Sequence, residues 1–258
     1  MEPYYEEEGI QIYNADCLEV LPGLEKVDLC LTDPPYGVTN CEWDSIIPLE
    51  LLWKQLKQII KSNGAIILTA IQPFTTILIS TNIKMFRYEW LWCKNQPSNP
   101  AVANKRPMRW HENILIFYEK QPIYNPQFTD CSLSTKLRWK NGQENKNQKE
   151  WTKNGHFKYT KNPIIQYQIK PKSYIYFNVV SRAMGTFHPT QKPVELMEYL
   201  IKTYTNENEL VLDFAMGSGT TLCACKKLNR RCIGIEISKE YCDIAIKRLK
   251  NTQKDMFL

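Results

Sequence analysis

The sequence predicts an α/β layered fold interrupted by a basic insert, and three observations carry that expectation. Strand-like and helix-like patterns alternate in two blocks, residues 10–118 and 193–250, as layered α/β folds require. A buried apolar run, Val27-Asp28-Leu29-Cys30-Leu31, is cut off by Thr32-Asp33-Pro34-Pro35-Tyr36-Gly37. Two prolines have no N–H to donate to a ladder, so the chain must leave the sheet at Asp33. A second strand, Leu210–Asp213, runs into a glycine-rich turn and a helix start.

Taken in order, Ile10–Asn14 reads as a strand, Asp16–Leu24 as a turn and short helix, and Val27–Thr32 as a strand. Residues 46–61 place Ile47, Leu51, Leu52, Leu56, Ile59 and Ile60 at helical spacing, with Asn63-Gly64 as the stop signal. Ala65–Thr69 is a short apolar strand, Pro73–Ser80 a helix, and Arg87–Cys93 and Asn113–Tyr118 are strands around a proline-bearing loop. After residue 182 the alternation resumes. A helix spans Pro193–Tyr204, with proline near its first turn. Then come a strand at Leu210–Asp213, a helix at Gly219–Leu228, a strand at Cys232–Glu236 and a helix at Ser238–Lys250, capped by Ser238.

Composition narrows the class. The 258 residues are 43% hydrophobic, enough for a sizeable core, and no apolar run approaches the ~18 residues of a membrane span. The acidic start, Met1–Glu8, lacks a signal peptide's basic and apolar regions. Nine scattered cysteines with no C-x-x-C pair, and only three histidines, argue against a disulfide framework or a metal cluster. Free thiols point to a reducing, cytoplasmic setting. Of the net +6, residues 121–182 contribute +8, from eleven Lys or Arg against three Asp or Glu. The basic excess is therefore confined to one segment.

Both punctuated strands end where open α/β sheets bind ligands, outside the carboxyl ends of strands. The Asp33 carboxylate and the Pro34 carbonyl are two fixed acceptors, suited to a planar amino group with two hydrogens, and Tyr36 can lie against an aromatic face. An isolated Asp-Pro would be only a turn. In Asp213-Phe214-Ala215-Met216-Gly217-Ser218-Gly219-Thr220-Thr221, Gly217 and Gly219 let a ligand approach the backbone, and the helix start presents free N–H groups. A phosphate loop would need a lysine after Gly219, and a dinucleotide fingerprint a third glycine where Leu222 stands. Glu236, at the next strand's tip, is placed for ribose hydroxyls, and Asp213 disfavours a pyrophosphate. The pocket suits a positively charged nucleoside.

With both sites in view, the sequence resembles the amino-methylating DNA methyltransferases, above all the β group of N6-adenine and N4-cytosine enzymes. The resemblance rests on Asp33-Pro34-Pro35-Tyr36 preceding the glycine turn with the basic insert between them. It extends to His188-Pro189-Thr190-Gln191-Lys192-Pro193 and Ala15-Asp16-Cys17-Leu18, covering roughly residues 10–120 and 185–250. It implies a Rossmann-like S-adenosylmethionine-dependent methyltransferase fold with circularly permuted motif order. Residues 1–120 would form the catalytic half, 121–182 the target-recognition insert and 183–258 the cofactor-binding half. By similarity Asp33, Pro34, Pro35 and Tyr36 hold the target base. Asp213, Phe214, Gly217, Ser218, Gly219 and Thr220 line the cofactor pocket. Glu236 takes the ribose, Asp16 the cofactor adenine, and Thr190 and Lys192 the methionine carboxylate. No metal is needed.

The resemblance further implies double-stranded DNA as partner, with Lys136, Arg138, Lys140, Lys153, Lys158 and Lys161 of the insert at its phosphates. It leaves room for a cognate restriction endonuclease and for a monomer or homodimer, with no membrane. The reaction it implies is methyl transfer to the N6 amine of a flipped adenine. Cytosine-N4 transfer is the alternative, since Asp33 favours adenine where N4-cytosine enzymes more often carry serine. An RNA methyltransferase and a catalytically idle DNA-binding module stand further off.

Overall fold

The computed structural model describes residues 1–37, 45–130, 149–151, 157–159, 168–180 and 191–253. In chain order the strands and helices begin with β1 (Tyr5–Glu7), β2 (Ile10–Asn14), α1 (Cys17–Val20), β3 (Val27–Thr32), α2 (Leu49–Ile59) and β4 (Ile60–Ala70). They continue with α3 (Phe74–Thr81), β5 (Phe86–Ser98), β6 (Arg109–Phe117), β7 (Thr129–Asp130), β8 (Lys149–Trp151), β9 (Phe157–Tyr159), β10 (Gln168–Ile169) and β11 (Tyr174–Tyr176). The last elements are α4 (Val194–Tyr204), β12 (Leu210–Asp213), α5 (Thr220–Lys227), β13 (Arg231–Glu236) and α6 (Lys239–Asn251).

Nine strands form one sheet in the order β1-β2-β13-β12-β3-β4-β6-β5-β11. The run from β2 to β4 is parallel throughout, whereas β6 is antiparallel to both its neighbours. At the centre, β3 and β12 pair in parallel, with Val211 opposite Leu29 and Leu212 opposite Cys30. From this pair the sheet grows outward both ways, so segments nearly two hundred residues apart in the chain end side by side.

Parallel strands buried on both faces need apolar side chains at every position, which is why Val27–Leu31 and Leu210–Leu212 read as continuous runs. Successive residues still point to opposite faces. Leu29 and Leu31 pack with Leu196 and Leu200 of α4, Leu222 of α5 and Leu249 of α6. Cys30 packs on the other face with Leu52 and Leu56 of α2 and Phe74 and Leu78 of α3. Helices therefore cover both faces, and burying each such Leu stabilises the fold by about 1.5–3 kcal/mol.

Three details differ from the sequence expectation. Asn63-Gly64 does not stop α2. The backbone turns extended at Ile60, and Asn63-Gly64 falls in an irregular stretch of β4, between the pairs Val27–Ile60 and Leu29–Ala65. A Cβ on Gly64 would stand 2.8 Å from the Asp28 carbonyl oxygen and 2.9 Å from Ile60, so close backbone approach accounts for the glycine. Second, the acidic Tyr5–Glu7 forms an edge strand antiparallel to β2, its charged residues lying at the border of the sheet. Third, the chain divides into two compact units, Met1–Asn125 with Ser173–Leu258, and Pro126–Lys172. The second unit is narrower than residues 121–182, because Asn125 Nδ2 donates to the carbonyls of Lys202 and Thr205 and because β11 joins the sheet beside β5. Within the second unit β7 pairs with β10 and β8 with β9, both antiparallel.

No helix among the described residues is long and apolar enough to cross a membrane. Replacing Gly64 by Ala is expected to cost about 1–3 kcal/mol, because the obstructing atom at Asp28 is backbone and cannot rotate away. The check is a lower urea midpoint with unchanged slope.

Candidate active site

The carboxyl ends of β3, β4, β12 and β13 share one rim, and a cleft of about 930 Å³ opens along it. Its lining includes Asp16, Asp33, Pro34, Pro35, Tyr36, Lys192, Asp213, Phe214, Gly217, Ser218, Thr220 and Glu236. The two sequence motifs thus meet in a single cavity. The tie between them is direct: the Phe214 N–H donates to Thr32 Oγ1 at 3.1 Å, joining the tip of β12 to the tip of β3.

On the β3 side, Asp33 is the hub. Its Oδ1 accepts from the hydroxyls of Tyr36 and Thr69, and the Tyr36 hydroxyl lies 2.9 Å from Thr69 Oγ1. Its Oδ2 accepts from Lys192 Nζ at 2.5 Å. The same ammonium lies 3.5 Å from Glu112 Oε2 and 5.8 Å from the centre of the Tyr36 ring. Glu112 Oε1 in turn accepts from Lys94 Nζ at 3.0 Å, and Lys94 donates to Ser98 Oγ at 2.5 Å. Phe74 supports the Tyr36 ring, with centroids 5.5 Å apart.

Electrostatics follows from this burial. Desolvation raises the Glu112 carboxyl, but the ammonium groups of Lys192 and Lys94 outweigh it and hold the group below the usual range. Burial lowers Lys192, yet Asp33 and Glu112 together leave it above the ordinary lysine value. Burial and the neighbouring Asp33 and Glu112 carboxylates push the Tyr36 hydroxyl well up, so it is a proton donor throughout the physiological range. Lys192, which the resemblance assigns to a methionine carboxylate, lies in this structure between two protein carboxylates. A buried ammonium goes where its charge is compensated. Thr69, Glu112 and Lys94 escaped the sequence reading. The available signal was an acid directly ahead of the apolar strand Asn113–Phe117.

On the β12 side the turn is held from three directions. Gly217 and Gly219 adopt left-handed backbone angles, φ of 50° and 77°. The Gly217 N–H donates to Glu236 Oε2 and the Ser238 N–H to Glu236 Oε1, each at 2.9 Å. Arg248 Nη1 donates to the Ser218 carbonyl at 2.6 Å, to Ser218 Oγ at 2.8 Å and to Thr220 Oγ1 at 3.2 Å. Asp213 is 3% exposed and accepts from the Ala215 N–H at 3.3 Å. Burial pushes its carboxyl up to about 7 against hydrogen bonds from Thr221, Ala215 and Thr32. Burial also raises Glu236, although Ser238 and Gly217 donate to it.

Two candidates also have roles within the fold. Asp16 lines the cleft, but its Oδ1 caps α1 by accepting from the Leu18 N–H at 2.8 Å. Gly219 does not line the cleft. A Cβ there would stand 2.7 Å from Ala245 Cβ, so this glycine serves the contact between α5 and α6. Thr190, Lys136, Arg138, Lys140, Lys153 and Lys161 lie outside the described residues, and Lys158 falls in β9, paired with Glu150 of β8.

The cleft is therefore double. One end has acidic groups and helix-start N–H groups with no lysine on the turn, which fits a ribose-bearing, cationic ligand. The other presents a carboxylate, a proline carbonyl and an aromatic ring, which fits a planar amine.

Residues 27–247 match the family model of the N6/N4 DNA methylases. The Type II methyltransferase M.BglII of Bacillus subtilis is 30% identical over 260 residues, covering 93% of this chain and 68% of that one. The Type II methyltransferase M1.MboII of Moraxella bovis is 27% identical over 250 residues, covering 90% and 93%. Among solved structures, the complex of M1.HpyAVI with S-adenosylmethionine superposes with a TM-score of 0.63 at 28% identity, over 93% of this chain and 98% of that one. The chain belongs to the N6/N4 DNA methylase family, and S-adenosylmethionine is its cofactor.

Proposed function

We propose that the protein methylates the N6 amine of an adenine flipped out of double-stranded DNA. The observation that carries this reading is Asp33 beside Pro34 on the same cleft as the Glu236-anchored glycine turn. S-adenosylmethionine supplies the methyl group from a sulfonium. The Asp33 carboxylate and the Pro34 carbonyl accept from the two amine hydrogens. That returns density to a nitrogen whose lone pair is otherwise delocalised into the ring. The remaining contribution is positioning and charge complementarity. Tyr36, braced by Phe74, faces the flipped base and replaces stacking lost in the duplex.

Glu236 has its two oxygens fixed by backbone N–H groups, which aims their remaining lone pairs at ribose hydroxyls. Asp213 offers a buried carboxylate to the cofactor's positive charge. In the basic segment, the lysines between residues 136 and 161 neutralise phosphates, and its asparagines and glutamines suit base edges.

Methylated DNA digested to nucleosides should contain N6-methyladenine; N4-methylcytosine in its place would overturn the choice of base. Asp33→Ala is expected to lower kcat at least ~100-fold while leaving S-adenosylmethionine affinity within about threefold, as hydrogen bonds aimed at the reacting group contribute. Equal loss of both would refute separate roles for the two ends of the cleft.

Asp213 makes cofactor affinity pH-dependent. The cation favours the ionised carboxylate, so affinity should rise with pH through about 7 and then level off. Stability moves the other way. A carboxyl raised from 3.8 to about 7 contributes most below the unfolded value, and that contribution is lost as pH climbs through this window. Asp213→Asn should bind S-adenosylmethionine weakly at every pH, yet melt higher than the parent at pH 8 relative to pH 4. Calorimetry and thermal melts check the two arms. Reversing the charge of Lys136, Lys140, Lys153 and Lys161 together should weaken DNA binding and flatten its dependence on salt, as read by anisotropy titration.

A further inference from the structure

We propose that Lys192 and Glu112 form a sliding latch on Asp33. In the empty cleft the Lys192 ammonium holds Asp33 Oδ2. When the target base enters, the ammonium shifts to Glu112 Oε2 and frees Oδ2 for the exocyclic amine. The inference rests on reading Asp33 as the acceptor for that amine.

The geometry poses the problem and supplies the solution. Both Asp33 oxygens are engaged, Oδ1 by the hydroxyls of Tyr36 and Thr69 and Oδ2 by Lys192 at 2.5 Å. An ammonium at that distance draws density from the carboxylate and opposes its action on the amine. Glu112 Oε2 is buried, makes no hydrogen bond among the described residues, and lies 3.5 Å from the same ammonium. A movement of about 1 Å closes that gap to charge-assisted hydrogen-bond length. Glu112 itself is anchored, because Lys94 holds its Oε1 at 3.0 Å and is in turn held by Ser98. The mobile partner is the flexible lysine stem. At each end of the travel the cation faces a carboxylate, so no buried charge is left uncompensated. Lys192 and Glu112 are thus positioning residues acting through Asp33.

The test uses the full chain with unmethylated phage DNA and methyl-labelled S-adenosylmethionine. Glu112→Gln, which keeps the shape but removes the charge, should lower kcat roughly 10–100-fold with cofactor affinity unchanged. In a Lys192→Met background the same change should cost nothing further. Lys192→Met alone should leave cofactor affinity as it was, because the ammonium serves Asp33. This arm stands even where Glu112→Gln does not fold. Wild-type kcat in Glu112→Gln, its full loss recurring beside Lys192→Met, or a tenfold weaker cofactor affinity in Lys192→Met would each overturn the latch. The two readings fail separately. An active Asp33→Ala removes the acceptor role itself, whereas an inactive Asp33→Ala with a fully active Glu112→Gln removes the latch alone.

Discussion

The parallel pairing of β3 with β12 is the constraint on which the rest of the molecule depends. Each strand is short; β12 ends on Asp213, and β3 gives way to Asp33 directly after Thr32. Because they are neighbours, Asp33 and Asp213 emerge side by side, and a threonine hydroxyl at the end of one strand caps the amide after the other. The other elements of the large unit serve this pair. Outward strands widen the sheet, helices on both faces exclude water from it, and the loops beyond its carboxyl ends become walls of one cleft. Permuting the chain does not alter this, since the strand order around the pair is a matter of hydrogen bonding rather than of sequence succession.

The charge arrangement beneath the cleft repeats that economy. Asp33, Lys192, Glu112 and Lys94 alternate in sign along one line of contacts. Two lysines against two carboxylates leave the row neutral, which is the condition under which partly buried ions are tolerated. Single ion pairs of this kind are poor stabilisers compared with well-packed apolar groups. Their presence at the floor of a cleft marks a place where the fold gives up stability to keep charge available.

Much of this was legible in the sequence, for identifiable reasons. Val27–Leu31 and Leu210–Leu212 announce themselves because strands buried on both faces carry apolar residues without alternation. Asp33-Pro34-Pro35-Tyr36 and the Gly217–Gly219 turn are visible because backbone demands, a missing N–H and a positive φ, restrict residue type locally. The companions of Asp33 were not legible. Thr69 and Glu112 come from β4 and β6, which become neighbours of the site only when the sheet assembles, and neither position restricts residue type on its own. Lys192 shows a related limit. A lysine ahead of a helix is visible, but the direction of a long flexible side chain is set by charges brought in from elsewhere. Asn63-Gly64 was misjudged because the same dipeptide that ends a helix also permits close backbone contact, and only Asp28 on the adjacent strand distinguishes them.

Gly219 and Ala245 carry a consequence for how the glycine turn is read. A motif of this kind is ordinarily credited to its ligand, with each glycine spared a side chain so that something can bind. Here Gly219 stands with its back to Ala245 on α6 and takes no part in the cleft surface. Gly217 borders the cleft, whereas Gly219 answers to the interior. The width of the cofactor turn is set partly from behind, by the smallness of a residue on another helix. A larger side chain at position 245 would press the turn forward into the cleft without touching any group that binds. Residues 217 to 219 and residue 245 therefore form one mechanical unit, in which a change at the hidden partner is felt first as a change at the mouth.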